Sequence, residues 1–263
     1  MSDAASSRAS DTASPPELSI VLAVYNERKN LPELLRRLRS LPLPSWEAIV
    51  VDDGSTDGSR EFLLEQAQAD PRLQTILHQG KQTTLRAQVL ALRAARGKFA
   101  VVMDSDLQHP PELLPPMLAR LEQGASLVVA SRYADGGSPG PRSPLRAVIS
   151  RSAEWLAQLL LPESRAVSDP VSGYFAFHRS VYVGIDPGYR GYKLLLFLLV
   201  MCRGRDVEEV GFVFEPRGDG ASKVTQGLAF VRVFLIELIL ARRLAGRMRR
   251  HPPVVAPSPD PGA

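Results

Sequence analysis

The sequence predicts an α/β fold, a mostly parallel central sheet flanked by helices. Three observations predict it. Apolar runs of strand length recur around Leu18–Val24, Trp46–Val51, Phe99–Met103 and Ala125–Ala130. They lack the alternation of a half-exposed strand, so each is expected to be buried on both faces. Helix-length segments separate them by short connections, giving the strand–helix repeat of such a fold. The runs also end in polar residues: Tyr25-Asn26-Glu27, Asp52-Asp53 and Asp104-Ser105-Asp106. Open α/β sheets bind ligands outside the carboxyl ends of their strands.

The chain has 263 residues, 44% of them hydrophobic, enough for one α/β domain with extensions. Lys and Arg total 32 against 28 Asp and Glu, a charge of +4 that decides nothing alone. No nucleic-acid partner is expected. Most of the basic residues are Arg, which favours forked contacts with phosphate. Cys202 is the single cysteine, so an internal disulfide is excluded and a cytoplasmic location expected. Residues 1–16 are rich in Ser, Ala and Asp without an apolar core; they read as a disordered tail rather than a signal peptide. Pro-rich residues 251–263 read the same way. No run of about 18 apolar residues occurs, so no spanning helix is expected. The α/β domain is expected at 17–225, with an amphipathic helix at 226–250.

After the first strand, Leu31, Leu34, Leu35 and Leu38 share a helix face, with Arg36, Arg37 and Arg39 mostly on a solvated one. The second strand runs into Asp52-Asp53-Gly54-Ser-Thr-Asp57. Gly54 permits a sharp turn. Asp57 closes it, and Asp53 is placed to accept hydrogen bonds from a base or a ribose. Leu73–Leu77 is a third strand, and Thr84–Arg96 a helix with Gly97 as its cap.

The stretch Lys98–Glu112 follows. Asp104 and Asp106 are two apart, on one side of an extended chain, so both can reach one ion. So small a set of hard oxygen ligands suits Mg²⁺ or Mn²⁺ carrying a substrate's phosphates. The bland alternative is a pair of turn acids satisfied by backbone amides. Pro110 and Pro111 stop the strand, and Glu112–Leu121 reads as a helix.

Asp135–Pro144, rich in Gly and Pro, reads as a mobile loop before a helix from Leu145 to Leu161. Arg146 and Ser150 are four apart and share a face. With Arg132 they either gather around an anion or are scattered surface residues, and spacing leaves both open. Asp169 is a structural cap or faces a sugar; His178 is a strand-end residue rather than a base. Tyr192–Met201, apolar on nearly all sides, is core or membrane-facing. After a strand at Val207–Glu215, Arg217 and Lys223 lie in a glycine-bearing loop that closes over phosphate or is a plain turn. From Gly227 to Leu240 only Arg232 and Glu237 interrupt an apolar run, which Arg242, Arg243, Arg247, Arg249 and Arg250 follow. An interfacial helix on anionic lipid and a core helix with a basic tail both fit.

Taken in order, Val24-Tyr-Asn-Glu27, Val51-Asp-Asp-Gly-Ser-Thr-Asp57, Met103-Asp-Ser-Asp-Leu-Gln-His-Pro-Pro-Glu112, Ser131-Arg-Tyr133, Asp169-Pro-Val-Ser-Gly-Tyr174, Gly191-Tyr-Lys193 and Arg217-Gly-Asp-Gly-Ala-Ser-Lys223 resemble the family 2 inverting glycosyltransferases of GT-A fold. Within that family the chain is most similar to dolichol- and polyprenol-phosphate mannosyltransferases. The resemblance implies that Tyr25, Glu27, Asp53 and Asp104 line the nucleotide-sugar. It implies a metal on Asp104, Asp106 and Gln108, and an acceptor phosphate held by Arg132, Arg146 and Ser150. Arg217 and Lys223 match a loop at the donor diphosphate and the acceptor. The departures are Asp-Ser-Asp where the family usually has Asp-Ala-Asp, and Phe197 where relatives usually carry an acid.

The implied reaction moves a hexose, with mannose from GDP-mannose as first choice, onto a polyprenyl or dolichyl phosphate. Asp106, through its metal, and Arg217 stabilise the departing diphosphate. A lipid phosphate is already ionised, so positioning replaces a dedicated base. The alternatives are a UDP-sugar donor, or a hydroxyl acceptor with Asp169 as base. The protein is expected to be peripheral at the inner membrane face, with a membrane-protein partner left open.

Overall fold

In the computed structural model, residues 14–141, 144–185, 191–214 and 227–250 are described, with backbone alone at 144–146 and 227–230. The apolar runs become strands of one sheet: β1 (Leu18–Val24), β2 (Trp46–Asp52), β3 (Leu73–Leu77), β4 (Phe99–Asp104), β5 (Leu127–Ser131), β6 (Phe175–His178) and β7 (Val207–Gly211). Their order is β3-β2-β1-β4-β6-β5-β7. β1 lies parallel between β2 and β4, with Leu22 opposite Val50 and Met103. The same register sets Ala23 beside Asp104 and Val24 beside Asp52. The polar residues that follow these strands therefore emerge at one level of one rim.

The far side of the sheet departs from the expected run of parallel strands. β6 is antiparallel to both β4 and β5, and β7 returns parallel to β5. The strand after β4 in sequence is thus not its neighbour in space.

Successive residues of a strand face opposite ways, so two cores form. Ile20, Leu22, Val50, Val101 and Met103 pack towards α1 (Leu31–Ser40) and α4 (Leu114–Glu122). Val21, Ile49, Val51, Val102 and Phe177 pack towards α3 (Thr84–Ala94), α6 (Leu194–Met201) and α7 (Gly227–Arg250). The remaining helices are α2 (Ser59–Ala69) and α5 (Pro144–Leu160). Thr83 caps α3, its hydroxyl accepting from Arg86 N–H. The Pro110-Pro111 stop leads into a short 3-10 turn, Pro111–Leu113, before α4.

All eight residues of α6 are buried, so it is core. α7 is two-faced. Phe234, Leu238, Ala241 and Ala245 are buried at helical spacing, while Val231, Leu235, Ile236 and Ile239 are exposed. Among the described residues no helix is long and apolar enough to cross a membrane. Of the α1 arginines, Arg36 and Arg39 are exposed as expected, Arg39 pairing with Asp70, whereas Arg37 is half-buried against Glu112. Gly97 does not cap α3, which ends at Ala94. It lies against β1, where an added Cβ would stand 2.7 Å from the Ser19 nitrogen.

Candidate functional site

At the end of β1 the chain enters a left-handed residue, Asn26, with φ of 55°. Its N–H donates to Ser55 Oγ at 2.9 Å, and its side-chain oxygen accepts from Thr56 N–H at 2.8 Å. Glu27 N–H donates to Ser59 Oγ at 3.0 Å, and its carboxylate accepts from the Asn30 amide at 2.7 Å. These bonds lock the turns after β1 and β2 together. The two acids after β2 divide their tasks. Asp52 is fully buried and pairs with Arg60 at 3.2 Å. Asp53 turns to the segment after β3: its Oδ1 accepts from Gln82 N–H at 2.9 Å and lies 3.4 Å from His78 Nδ1. Gly54, at φ 87°, lets that segment close in, because a Cβ there would stand 2.8 Å from the Gly80 carbonyl carbon. Lys81 Nζ then sits 4.1 Å over the Tyr25 ring. Tyr25, Asp53 and Lys81 thus share one corner. Asp57 closes the turn, accepting from Ser59 Oγ at 2.6 Å and Arg28 N–H at 3.0 Å.

β4 ends at Asp104, so the alternation that would place Asp104 and Asp106 on one side does not continue. The chain bends instead, with Leu107 at φ 65°. Asp104 has 45% of its side chain exposed, whereas Asp106 is only 6% exposed. Asp106 Oδ1 accepts from Gln108 N–H at 3.2 Å. The bend is pinned by His109, whose Nδ1 accepts from Asp104 N–H at 2.9 Å. Burial pushes the His109 pKa down to about 4, so the ring is neutral with its proton on Nε2. It stacks on Tyr174 at 5.1 Å, and the Tyr174 hydroxyl donates to the Pro110 carbonyl. Gly173 completes the pocket wall: a Cβ there would stand 3.3 Å from an Asp104 carboxylate oxygen and 3.2 Å from the His109 ring.

The donor set fits a hard divalent ion. Among the described residues no cluster of three His, Cys, Asp or Glu could close a shell by itself. Mg²⁺ and Mn²⁺ are commonly bound by one or two carboxylates with substrate phosphates and water completing the octahedron. The space beside Asp104 that Gly173 leaves open suits that arrangement.

Across the rim, Arg132 follows β5. Its Nε and Nη2 form two parallel bonds to Asp169, at 2.7 and 2.8 Å. Asp169 is 0% exposed. Sequence reading left it as a cap or a sugar-facing acid; the structure makes it the internal partner of Arg132. Glu154, also buried, accepts from the Tyr133 hydroxyl at 2.7 Å and Ser150 Oγ at 3.1 Å, and lies 3.7 Å from Arg132. Arg132 and Ser150 are therefore brought together through a carboxylate that sequence reading missed. The Arg146 side chain, Arg217 and Lys223 lie outside the described residues. His178 ends β6, its Nε2 3.2 Å from the Leu121 carbonyl, as a strand-end residue.

Lys81, Glu154, Lys193 and Glu237 are the charged residues that sequence reading did not place. Lys193 was visible only as the last residue of Gly191-Tyr-Lys, and Glu237 only as a lone acid in an apolar run.

A mostly parallel sheet with its acids and a half-buried arginine on one rim matches a fold of GT-A type, and comparison with known proteins agrees. The chain belongs to Glycosyl transferase family 2, whose profile matches residues 19–184. A dolichol-phosphate mannosyltransferase from Pyrococcus furiosus is 35% identical over 210 residues, 79% of this chain and 59% of that protein. The chain thus spans less than two thirds of that relative's length. A dolichol-phosphate mannosyltransferase from Mycosarcoma maydis is 34% identical over 231 residues, 83% of this chain and 77% of that one. A polyprenol monophosphomannose synthase from Mycolicibacterium smegmatis is 34% identical over 217 residues, 78% of this chain and 80% of that one. Glucosyl-3-phosphoglycerate synthase from Mycobacterium tuberculosis, crystallised with Mn²⁺, UDP-glucose and phosphoglyceric acid, shares the fold. Its TM-score is 0.66 at 21% identity, over 88% of this chain and 80% of that one.

Proposed function

We propose that this glycosyltransferase moves mannose from GDP-mannose onto a polyprenyl phosphate, with inversion at the anomeric carbon. The observation that carries the assignment is the identity of 34–35% with proteins named for dolichol- or polyprenol-phosphate mannosylation. The geometry supports it. The corner of Tyr25, Asp53 and Lys81 suits a nucleotide, with Glu27 held beside it by Asn30 and Ser59. Asp104, Asp106 and Gln108 would hold Mg²⁺ or Mn²⁺, which supplies charge neutralisation at the diphosphate. Arg132, positioned by Asp169 and near Ser150, faces the acceptor phosphate, with Arg146, Arg217 and Lys223 assigned alongside by resemblance.

An acceptor phosphate oxygen forms the new bond to the sugar carbon as the bond to the diphosphate breaks, and the electron pair leaves with the nucleotide. The attacking oxygen is already anionic near pH 7, so the chain needs no base. This agrees with a neutral, fully buried His109 and with Asp169 committed to Arg132. The exposed apolar residues of α5 (Val148, Ile149, Trp155 and Leu159) and of α7, together with the α7 arginines, suit the surface of an anionic membrane.

The test is purified protein with Mg²⁺ or Mn²⁺, labelled GDP-mannose or UDP-glucose, and a polyprenyl phosphate. Label in the lipid phase from GDP-mannose is expected. Label only from the UDP-sugar would overturn the donor, and label in neither would overturn the acceptor.

A further inference from the structure

Two ionisable side chains lie beneath the rim, one buried and one half-buried, on elements that carry none of the groups assigned to substrate. Glu237 is 1% exposed and projects from the inner face of α7. Its Oε1 accepts from the N–H of Tyr192 and, at 2.7 Å, from that of Lys193. Lys193 is the N-cap of α6, where backbone N–H groups lack partners within the helix. A carboxylate there satisfies the N-cap N–H and that of the residue before it, and complements the positive end of the helix. Gly191 makes the approach possible, since a Cβ on it would stand 2.7 Å from Glu237 Cδ. The Gly191 carbonyl accepts in turn from Leu85 N–H, in the first turn of α3.

The Lys193 side chain runs the opposite way. It is half-buried, and its Nζ donates to the Val171 carbonyl at 2.6 Å. Val171 stands two residues after Asp169, the partner of Arg132, and two before Gly173, which flanks Asp104. Taking an ammonium and a carboxylate out of water, even in part, is costly unless each is held by hydrogen bonds. Lys193 is held through Nζ and Glu237 through Oε1 alone, its Oε2 being buried without a hydrogen-bond partner, and the groups that hold them are backbone groups that lead to the site.

We propose that Glu237 and Lys193 are positioning residues that tie the C-terminal helix to the Asp169–Arg132 pair and so hold the acceptor arginine in register with the acid rim. The proposal rests on the assignment of Arg132 to the acceptor. The bonds run from α7 through Glu237 to the 191–193 turn, then through Lys193 to the 169–173 segment and Arg132. Whatever fixes α7 from outside also fixes the acceptor side.

The test uses the full chain and four proteins: wild type, Glu237→Ala, Glu237→Gln and Lys193→Met. Gln keeps an oxygen able to accept from both amides; Ala does not. Hydrogen exchange is read first, because it needs no activity. Exchange across 169–173 should quicken by about 10-fold in Glu237→Ala and Lys193→Met, and stay within about threefold of wild type in Glu237→Gln. In transfer assays, KM for polyprenyl phosphate should rise about 10-fold in the first two, with KM for the sugar nucleotide within about twofold. A merely structural role would raise both KM values together or leave 169–173 protected, and either result overturns the proposal. Equal damage in Glu237→Gln and Glu237→Ala overturns it too. If Glu237→Ala does not fold, Lys193→Met against Glu237→Gln decides by the same exchange readout. If wild type transfers no sugar yet the exchange pattern holds, the acceptor assignment fails and the tie stands.

Discussion

The two halves of the sheet build their rims by different means. From β1 to β4 the strands are parallel and in register, and the rim residues appear wherever a strand ends. Short polar bonds between neighbouring turns finish the work, as between Asn26 and Thr56 or Asp53 and Gln82. From β5 to β7 an antiparallel strand interrupts, and the rim rests on buried and half-buried charge: Arg132 with Asp169, Glu154 beneath Ser150, and Lys193 and Glu237 behind them. Backbone geometry therefore does most of the placing on the proposed donor side, where Asp52 with Arg60 is a buried pair, and electrostatics does most of it on the proposed acceptor side. A deleted hydrogen bond of the first kind costs about 1 kcal/mol, whereas an orphaned buried charge costs about 3 kcal/mol or more.

That contrast can be broken at several points. The largest effect is expected at the rim itself. Asp106→Ala should cut transfer at least about 10³-fold with melting little changed. Activity above a tenth of wild type would remove Asp106 from the metal site. Next comes Asp169→Ala, which strands Arg132 in a nearly buried position. Chemical denaturation should show a loss of about 3 kcal/mol, against about 1 kcal/mol for Asp53→Ala on the donor side. Equal losses would erase the distinction between the halves.

A smaller effect is expected at Asp70, whose carboxyl is held at about 2, first by the hydrogen bond from Arg72 and then by Arg39. A depressed folded-state pKa stabilises above the unfolded value near 4, and the contribution is lost as pH falls from there towards 2. Asp70→Asn should flatten the stability profile in that window and cost about 1–2 kcal/mol at pH 7; an unchanged profile would show the pair is idle. The smallest change in stability, within about 0.5 kcal/mol, is expected for Ile236→Asp on the exposed face of α7. That variant should nevertheless float less with anionic vesicles at low salt, and undiminished flotation would count against docking through α7.

What could be read from the sequence follows the same division. The donor half was legible because doubly buried parallel strands write themselves as continuous apolar runs, with acids where they end. The direction of β6 was not legible, since Phe175–His178 has the same apolar character whichever way it runs. The alternation argument for Asp104 and Asp106 failed because the strand stops at Asp104 and His109 bends the chain. Gly97 was taken for a cap, but its smallness serves close packing on β1. The half-buried place of Arg37 was not legible because its partner, Glu112, is distant in sequence. Glu237 is separated from Lys193 by 44 residues, and no local pattern joins them. The motif order did bring out the family; the acceptor role of Arg132 and Ser150, which spacing alone left open, belongs to the proposal.

The burial of α6 has a mechanical corollary. All eight of its residues are covered, in part by α7. Peeling α7 off would wet several large apolar side chains at about 1.5–3 kcal/mol each, a sum comparable to a domain's entire margin of stability. The helix therefore behaves as a keel rather than a hinged flap: any surface it settles on also sets the heading of the whole cleft.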